Sequence, residues 1–260
     1  MARETGWWFT ITPNLLNGTT LSAIEFCDNL HVRMCLSPQD MPKQCDSCNS
    51  QFTIEHALNC KKGNLMGLHH DDMKASWIKL LGAALIPSAV RDEPLIHPGH
   101  NRGIPEGTTT TPNQDHGDIS THGFWNPGIV TIFDVSIANT DASLNLQVSS
   151  KKVLIRIKKS KKEKYLGPLC EQWKNSTPLI YSVDSLAGKE AKSATRKTSL
   201  LQSEKWGKTH SVVASFVNMK IALSLACSLS MCLRNSRNYP LHPHTWVDWT
   251  HGGSKFHLHQ

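Results

Sequence analysis

The chain has 260 residues, a formal net charge of +7 and a pI near 9.0. This length allows a sizeable buried core in one or two domains, and eight Trp and seven Phe argue against wholesale disorder. The positive charge favours a polyanionic partner, and we predict nucleic acid rather than a membrane surface.

The cysteines and the apolar segments indicate a location inside the cell. Eight cysteines without the spacing of a disulfide framework favour a reducing compartment, nuclear or cytoplasmic. The N-terminus carries no apolar run of signal-peptide length. The longest uncharged apolar stretch, residues 221–233, is too short to span a bilayer and is predicted to form a buried helix. The sequence therefore predicts no membrane partner.

Residues 1–40 are predicted to form a helical lead-in. Their helix begins after Ser22, because a serine followed three residues later by Glu25 is the pattern of a capping box. The lead-in is followed by residues 41–66, which we predict to be a zinc knuckle.

Within the knuckle, four metal ligands follow the pattern Cys-x2-Cys-x7-His-x3-Cys, namely Cys45, Cys48, His56 and Cys60. Thiolate sulfur and imidazole nitrogen are ligands that zinc prefers, and these gaps suit one tetrahedral ion. A short helix over residues 52–58 would present His56 and Cys60 from one face. Four protein ligands leave no position for a water, so the zinc is expected to be structural. The alternative interpretation is a disulfide pair or buried free thiols.

Residues 67–237 show a coarse order of helix, strands, helix, strand and helices, which predicts an α/β fold. Helices are expected over 71–85, 188–206 and 211–233, with a basic helical segment over 151–164. Strands are expected over 118–124, 129–137 and 179–183. An extended segment is expected over 90–96, and an exposed loop over 97–117. Residues 69–72 are predicted to lie at the start of the first of these helices. Residues 238–260 lack periodicity and are predicted to be a disordered tail.

Two aspartates of the predicted hairpin are candidates for metal binding. Asp118 opens the first strand and Asp134 lies among apolar residues of the second, where a carboxylate is costly unless it binds something. Neighbouring carboxylates can hold magnesium, and Glu93 could supply a further oxygen ligand. The alternative interpretation is a turn cap for Asp118 and a carboxylate facing water for Asp134.

The basic segment offers lysines for two roles. A lysine beside bound magnesium could stabilise developing negative charge or orient a water. On a helix, Lys161 shares a stripe at four-residue steps with Val153 and Ile157, which is compatible with an inward orientation. The alternative interpretation is an ordinary solvated charge whose aliphatic stem covers apolar surface. Contacts with nucleic acid are predicted for Lys151, Lys152, Lys158, Lys159, Lys162 and Lys164.

Several segments in combination resemble the C-terminal region of retrotransposon reverse-transcriptase polyproteins, over roughly residues 7–237. They are residues 16–19, 22–28, 45–63, 87–94, 123–125, 132–135 and 161–165. In such elements a Cys-Cys-His-Cys zinc knuckle precedes a restriction-endonuclease-like domain of the PD-(D/E)xK type. The core order of that domain is helix, three strands, helix, strand. The resemblance therefore implies a restriction-endonuclease-like α/β core after the knuckle.

The resemblance also implies roles for individual residues. Asp118 matches the aspartate of the second core strand, and Asp134 matches the acidic residue of the third. A lysine on the following helix would complete the catalytic site, with Lys152 and Lys161 as the candidates. Structural zinc and catalytic magnesium are the cofactors that this resemblance implies.

The sequence departs from the family pattern in two places. Residues 69–71 are His-His-Asp where Arg-His-Asn is expected, and Ser136 stands where a basic residue is expected. No Tyr-x-Asp-Asp motif is present, so no polymerase activity is implied. Three hypotheses follow: an endonuclease domain that nicks DNA, a non-catalytic module that binds DNA or element RNA, and a decayed element product without function.

Overall fold

A computed structural model describes residues 6–14, 18–97, 115–171 and 175–235. The described α-helices are α1 Ala23–Arg33, α2 Ile54–Ala57, α3 Leu65–Ala84, α4 Ser150–Glu171, α5 Lys189–Trp206 and α6 His210–Leu233. The described strands are β1 Val90–Asp92, β2 Leu95–His97, β3 Asp115–His116, β4 Ile119–His122, β5 Val130–Ala138 and β6 Asn175–Ser182. The predicted tail and most of the predicted loop over 97–117 lie outside the described residues.

The fold is α/β around a mixed sheet of four strands in the order β1-β4-β5-β6. β4 and β5 form the predicted antiparallel hairpin, in which Ile119 pairs with Phe133. β5 and β6 run parallel, and α4 provides the crossover that a parallel pair requires. β2 and β3 form a separate pair of short strands.

Alternate residues of the sheet face two different helical layers. Phe133 and Val135 of β5 pack with α3, α5 and α6 in the larger core. Ile180 of β6 packs on the other face with Leu154 of α4. Because side chains alternate along a strand, Asp134 lies on the face that α4 covers. The sheet is thus a middle layer, with one helix on one side and three on the other.

Helix α6 is buried along most of its length and contacts α1, α3 and α5. Its hydropathy and length would suffice to cross a membrane, but 72% of its most apolar window is buried within the fold, as expected of a core helix. The prediction of a buried helix over residues 221–233 is confirmed.

The lead-in and the knuckle both pack on α6. The Ser22 capping box is present, and the Asn29 amide of α1 donates a hydrogen bond to the Ala226 carbonyl. Leu58 of the knuckle shares a core with Leu229 and Leu233 near the end of α6. Helix α6 therefore links the small cores of both segments to the main core, since it supplies residues to each.

Some predicted boundaries were wrong. Helix α3 begins at Leu65 rather than Asp71, because Leu65 is buried in the knuckle core and extends the helix upstream. Residues 69–72 therefore lie within the helix, and the predicted domain boundary after residue 66 falls inside it. The knuckle helix is shorter than predicted, Ile54–Ala57, with Thr53 as its N-cap.

The extended segment predicted over 90–96 is interrupted. Glu93 has a positive φ of 43°, and it separates β1 from β2, which belong to different sheets. A non-glycine residue with positive φ reverses the direction of the chain at some cost, and Pro94 adds a further break in the ladder. The prediction missed this turn, although Asp92 and Pro94 are residue types that disfavour a continuous strand.

Candidate functional site

The four predicted zinc ligands come together. One ligand atom from each of Cys45, Cys48, His56 and Cys60 lies within 4.8 Å of the others. The Sγ atoms of Cys45 and Cys60 are 4.0 Å apart, those of Cys48 and Cys60 are 3.9 Å apart, and Cys48 Sγ is 3.3 Å from His56 Nε2. Tetrahedral zinc with Zn–S bonds of about 2.3 Å places its sulfurs about 3.8 Å apart. The Cys3His set can therefore hold one zinc ion.

The polypeptide around the cysteines favours thiolates at two of the three positions. Burial opposes ionisation of Cys45, but hydrogen bonds from the backbone amides of Ser47 and Cys48 outweigh it and lower the pKa. Hydrogen bonds from Ser50 lower the pKa of Cys48. Burial raises the pKa of Cys60. Thiolate is the form that binds zinc, so a cation would most change the charge state of Cys60.

The alternative of a disulfide does not fit this geometry. A disulfide needs sulfurs about 2.05 Å apart, roughly half the separations between Cys60 and its neighbours. Cys45, Cys48 and Cys60 are free thiols. Four ligands close the site, so a bound zinc would be structural.

The two aspartates lie near each other at one end of the β4–β5 hairpin. Asp118 immediately precedes β4, and its backbone N–H donates to the Phe133 carbonyl at 3.2 Å. The Asp118 side chain accepts a hydrogen bond from the Val135 amide. Ile119 pairs with Phe133, and Asp118 bonds both neighbours of Asp134 in β5, Phe133 through its backbone and Val135 through its side chain, so the two aspartates lie close together.

Asp134 forms an ion pair with Lys161 of α4. Lys161 Nζ lies 2.9 Å from Asp134 Oδ2, although the angle departs from that of a hydrogen bond. The Asp134 side chain is 4% exposed and that of Lys161 is 32% exposed. The charge of the buried Asp134 carboxylate is thus compensated by a lysine whose side chain is partly exposed to solvent.

Asp118 interacts with His70 of α3, which the sequence analysis did not select. His70 Nε2 lies 3.0 Å from Asp118 Oδ2, and this hydrogen bond raises the pKa of the imidazole. Burial opposes ionisation of Asp118, but the contact with His70 outweighs it and lowers the pKa of the carboxyl. The charge of Lys161 also lowers the pKa of Asp118, so both aspartates lie in the field of this lysine.

Glu93 is close to this site but has its own cation. Lys74 Nζ, buried on α3, lies 2.7 Å from Glu93 Oε1 and 3.2 Å from Asp92 Oδ1. The Glu93 amide donates to the Asp118 carbonyl at 3.0 Å, which brings the two residues next to each other. Glu93 is therefore adjacent to the aspartates, with its side chain 67% exposed.

The structure does not bring Lys152 to the aspartates. Lys152 is exposed on α4 and precedes Lys161 by nine residues, or about 13 Å along a helix axis. The four-residue stripe left both an inward and a solvated orientation open for Lys161, and Lys161 is the lysine that contacts Asp134. Lys152 remains a candidate for nucleic-acid contact.

The other lysines of α4 are partly neutralised within the fold. Lys158 and Lys162 lie 2.9 Å and 3.6 Å from Glu190 Oε1, and Lys159 pairs with Glu163 at 3.8 Å. Lys151 is exposed, and the Lys164 side chain lies outside the described part of the chain. Such exposed pairs are weak, so these lysines still give α4 a basic surface.

Sequence reasoning missed His70 and Lys74 because their partners are distant in sequence. Both side chains point from α3 toward β1 and the turn before β4, where they meet Asp118 and Glu93. Extending α3 upstream to Leu65 would have placed His70 and Lys74 one helical turn apart on the same face. That spacing is the signal that could have found them.

The comparisons with known proteins identify no family. No family model matches the sequence. A search of curated proteins finds no significant match. The function is therefore inferred from the residues and their geometry.

Proposed function

We propose that the chain is a retrotransposon-derived, zinc-stabilised domain that binds DNA and nicks it in a magnesium-dependent reaction. The observation that carries this proposal is the contact of Lys161 with Asp134, whose two neighbours in β5 hydrogen-bond to Asp118. Two acidic residues on neighbouring strands with a lysine in reach are the components that metal-assisted phosphodiester hydrolysis requires. DNA is the proposed partner, with element RNA as a further polyanion.

The element order supports a restriction-endonuclease-like core for this domain. Helix α3 precedes β1, β4 and β5, and α4 then leads to β6, which pairs in parallel with β5. This is the order helix, three strands, helix, strand that the sequence resemblance implies. The short pair β2–β3 is an insertion between the first two strands of the sheet.

The carboxylates fit magnesium by the chemistry of their oxygens, although each has one oxygen engaged by a protein cation. Asp118 and Asp134 would hold the ion, whose ligands are hard oxygens and waters. When bound, magnesium supplies polarisation of the phosphate and a more acidic water. Among the described residues, only the Cys/His set groups three or more potential ligands around one point. Water and phosphate oxygens would therefore complete the coordination of magnesium.

The protein side chains would contribute charge and proton control. Lys161 Nζ, next to Asp134, is in reach of an attacking water or of the negative charge that develops on the phosphate. His70 holds one oxygen of Asp118, and a protonated imidazole competes with a cation for that carboxylate. Loss of the His70 charge would weaken this competition with the metal for Asp118.

Nicking of supercoiled plasmid tests the proposal. Purified protein with magnesium is compared with the same protein in EDTA and with the Asp134→Ala variant, each checked for a folded circular dichroism spectrum. We expect nicked circles in magnesium and none in EDTA or with Asp134→Ala. Equal nicking by the variant would exclude Asp134 as a metal ligand.

A non-catalytic nucleic-acid-binding module is the second candidate. The basic surface of α4 favours it, together with the protein cations that already neutralise Asp118 and Asp134. This function predicts intact plasmid and DNA affinity that falls steeply with salt, unchanged in Asp134→Ala. Neither nicking nor salt-sensitive binding by a folded protein would leave a decayed element product.

A further inference from the structure

A cavity of about 310 Å³ lies between α5, α6, the end of β6 and the N-terminal segment. On α5 the lining residues recur at steps of three and four, as do those on α6, so one face of each helix forms a wall. The lining residues are Trp7, Tyr181, Ser185, Ala187, Lys192, Thr195, Arg196, Ser199, His210, Ala214, Asn218, Ile221 and Ala222. None of them belongs to the zinc set or to the group around Asp118 and Asp134.

Buried polar groups lie along the inner part of this cavity. Tyr181 is 2% exposed, and although Thr195 and Trp77 are nearby, its hydroxyl makes no well-formed hydrogen bond. Ser199 is fully buried, and its Oγ lies 3.1 Å from His210 Nε2. A buried hydroxyl without a well-formed hydrogen bond costs free energy that a bound polar group would recover.

The mouth of the cavity combines an aromatic ring with positive charge. Trp7 is 48% exposed, so part of its indole is open to a ligand. Lys192 and Arg196 are exposed one helical turn apart on α5. None of the described lining residues is acidic. The mouth therefore favours an anion that also has a flat ring.

We propose that this cavity binds a nucleoside monophosphate, either free or as an unpaired nucleotide of a strand. The base stacks on Trp7, because every base has a π-face and aromatic side chains bind it without sequence preference. The phosphate lies against Arg196 and Lys192, which match its charge. Ser199, His210 and Tyr181 offer polar atoms to the base or the sugar. The cavity volume is at the lower end of ligand sites, which are about 300–1,000 Å³, and suits one nucleotide.

Calorimetric titration of the full chain tests this site. The ligands are AMP, CMP, ribose 5-phosphate and inorganic phosphate. We expect both nucleotides to bind, and ribose 5-phosphate and phosphate to bind at least roughly tenfold more weakly because they lack the stacking ring. Equal binding of phosphate and AMP would overturn the proposal, as would no binding of either nucleotide.

Matched variants locate the binding. Trp7→Ala and Arg196→Ala should each weaken AMP binding roughly tenfold, whereas Phe9→Ala and Arg91→Ala should leave it unchanged, since Phe9 and Arg91 do not line the cavity. All four side chains are exposed, so the variants are expected to fold. Unchanged affinity in Trp7→Ala and Arg196→Ala would contradict the assignment.

Two further titrations separate the sources of the nucleotide and the two sites. A duplex with one unpaired nucleotide, compared with a fully paired duplex, should compete with AMP if the site takes nucleotides of a strand. AMP binding without such competition assigns the site to the free nucleotide. Asp134→Ala should bind AMP like the parent protein, so a failed nicking assay and a failed AMP titration are distinguishable.

Discussion

At the scale of single residues, the contact between Lys161 Nζ and Asp134 Oδ2 separates the two lysines that the sequence offered as candidates. Both belong to the basic segment, and composition alone does not distinguish them. The helical stripe that begins at Val153 contains Lys161 but not Lys152. In the structure, Lys161 lies toward the sheet, whereas Lys152 is exposed. Local periodicity therefore offered the inward orientation of this side chain as one of two interpretations, and the packing of α4 on the sheet supplied its partner.

Replacing each lysine with methionine tests this distinction. Lys161→Met should lower magnesium-dependent nicking by roughly 100-fold, because it removes a cation from the reacting charge while keeping a long side chain. Lys152→Met should change nicking less than about threefold. Rates on supercoiled plasmid at matched protein concentration provide the measurement. A larger loss in Lys152→Met would reverse the assignment.

The His70–Asp118 pair predicts a pH dependence of stability. The raised pKa of His70 makes its contribution complete below about pH 6.5, and this contribution is lost as the pH rises through the raised value. The lowered pKa of Asp118 makes its contribution complete above about pH 4, with loss as the pH falls through the lowered value. The pair therefore stabilises the fold most between about pH 4 and 6.5.

Urea unfolding of His70→Gln checks this window. We expect the variant to be less stable than the parent by about 1–2 kcal/mol at pH 5, with a smaller difference at pH 8.5. His122→Gln, on the exposed end of β4, is the matched control and should show no such trend. A difference that grows with pH would contradict the assigned pair.

At the scale of elements, the helices and strands that could be predicted from the sequence are those specified by residues close together in the chain. The Ser22 capping box, the hairpin and the apolar run of α6 are each encoded by neighbouring residues. The start of α3 and the break at Glu93 were missed, because tertiary contacts decide them. The first turn of α3 forms where Leu65 packs in the knuckle core. Glu93 adopts its positive φ where it contacts Lys74 and Asp118.

The spacing of the four Cys and His residues predicted that they would come together. Removal of one of these ligands tests whether they bind zinc. We expect native mass spectrometry to find one zinc ion in the parent protein and none in Cys48→Ser. The variant should also lower the free energy of unfolding by about 3 kcal/mol or more, because metal affinity and folding are coupled. Cys35→Ser, an exposed cysteine outside the set, should retain zinc and stability. Retention of stoichiometric zinc by Cys48→Ser would contradict the ligand set.

At the scale of the whole molecule, α6 joins segments that the sequence analysis treated separately. Asp28 of the lead-in is fully buried, where it accepts hydrogen bonds from Ser230 and from the Arg234 guanidinium. Asp72 of α3 accepts a hydrogen bond from Ser224, which precedes Ser230 on α6. No sequence window contains both partners of such contacts, so they could not be predicted from periodicity.

The Asp28 contact predicts that the lead-in stabilises the entire fold. Asp28→Ala should lower the free energy of unfolding by about 3 kcal/mol, because it leaves Arg234 and Ser230 without their acceptor. Chemical denaturation followed by circular dichroism is the measurement, and Glu204→Ala, on the exposed face of α5, is the control. A separable lead-in would show no loss in the main unfolding transition.

The position of α6 in the chain has a consequence for synthesis. The lead-in, the knuckle and the sheet leave the ribosome before the helix on which all three pack. Their apolar faces stay uncovered until α6 emerges, which leaves the nascent chain prone to aggregation during that interval. A premature stop or a frameshift ahead of α6 would therefore affect three packing surfaces at once, rather than only the residues it removes.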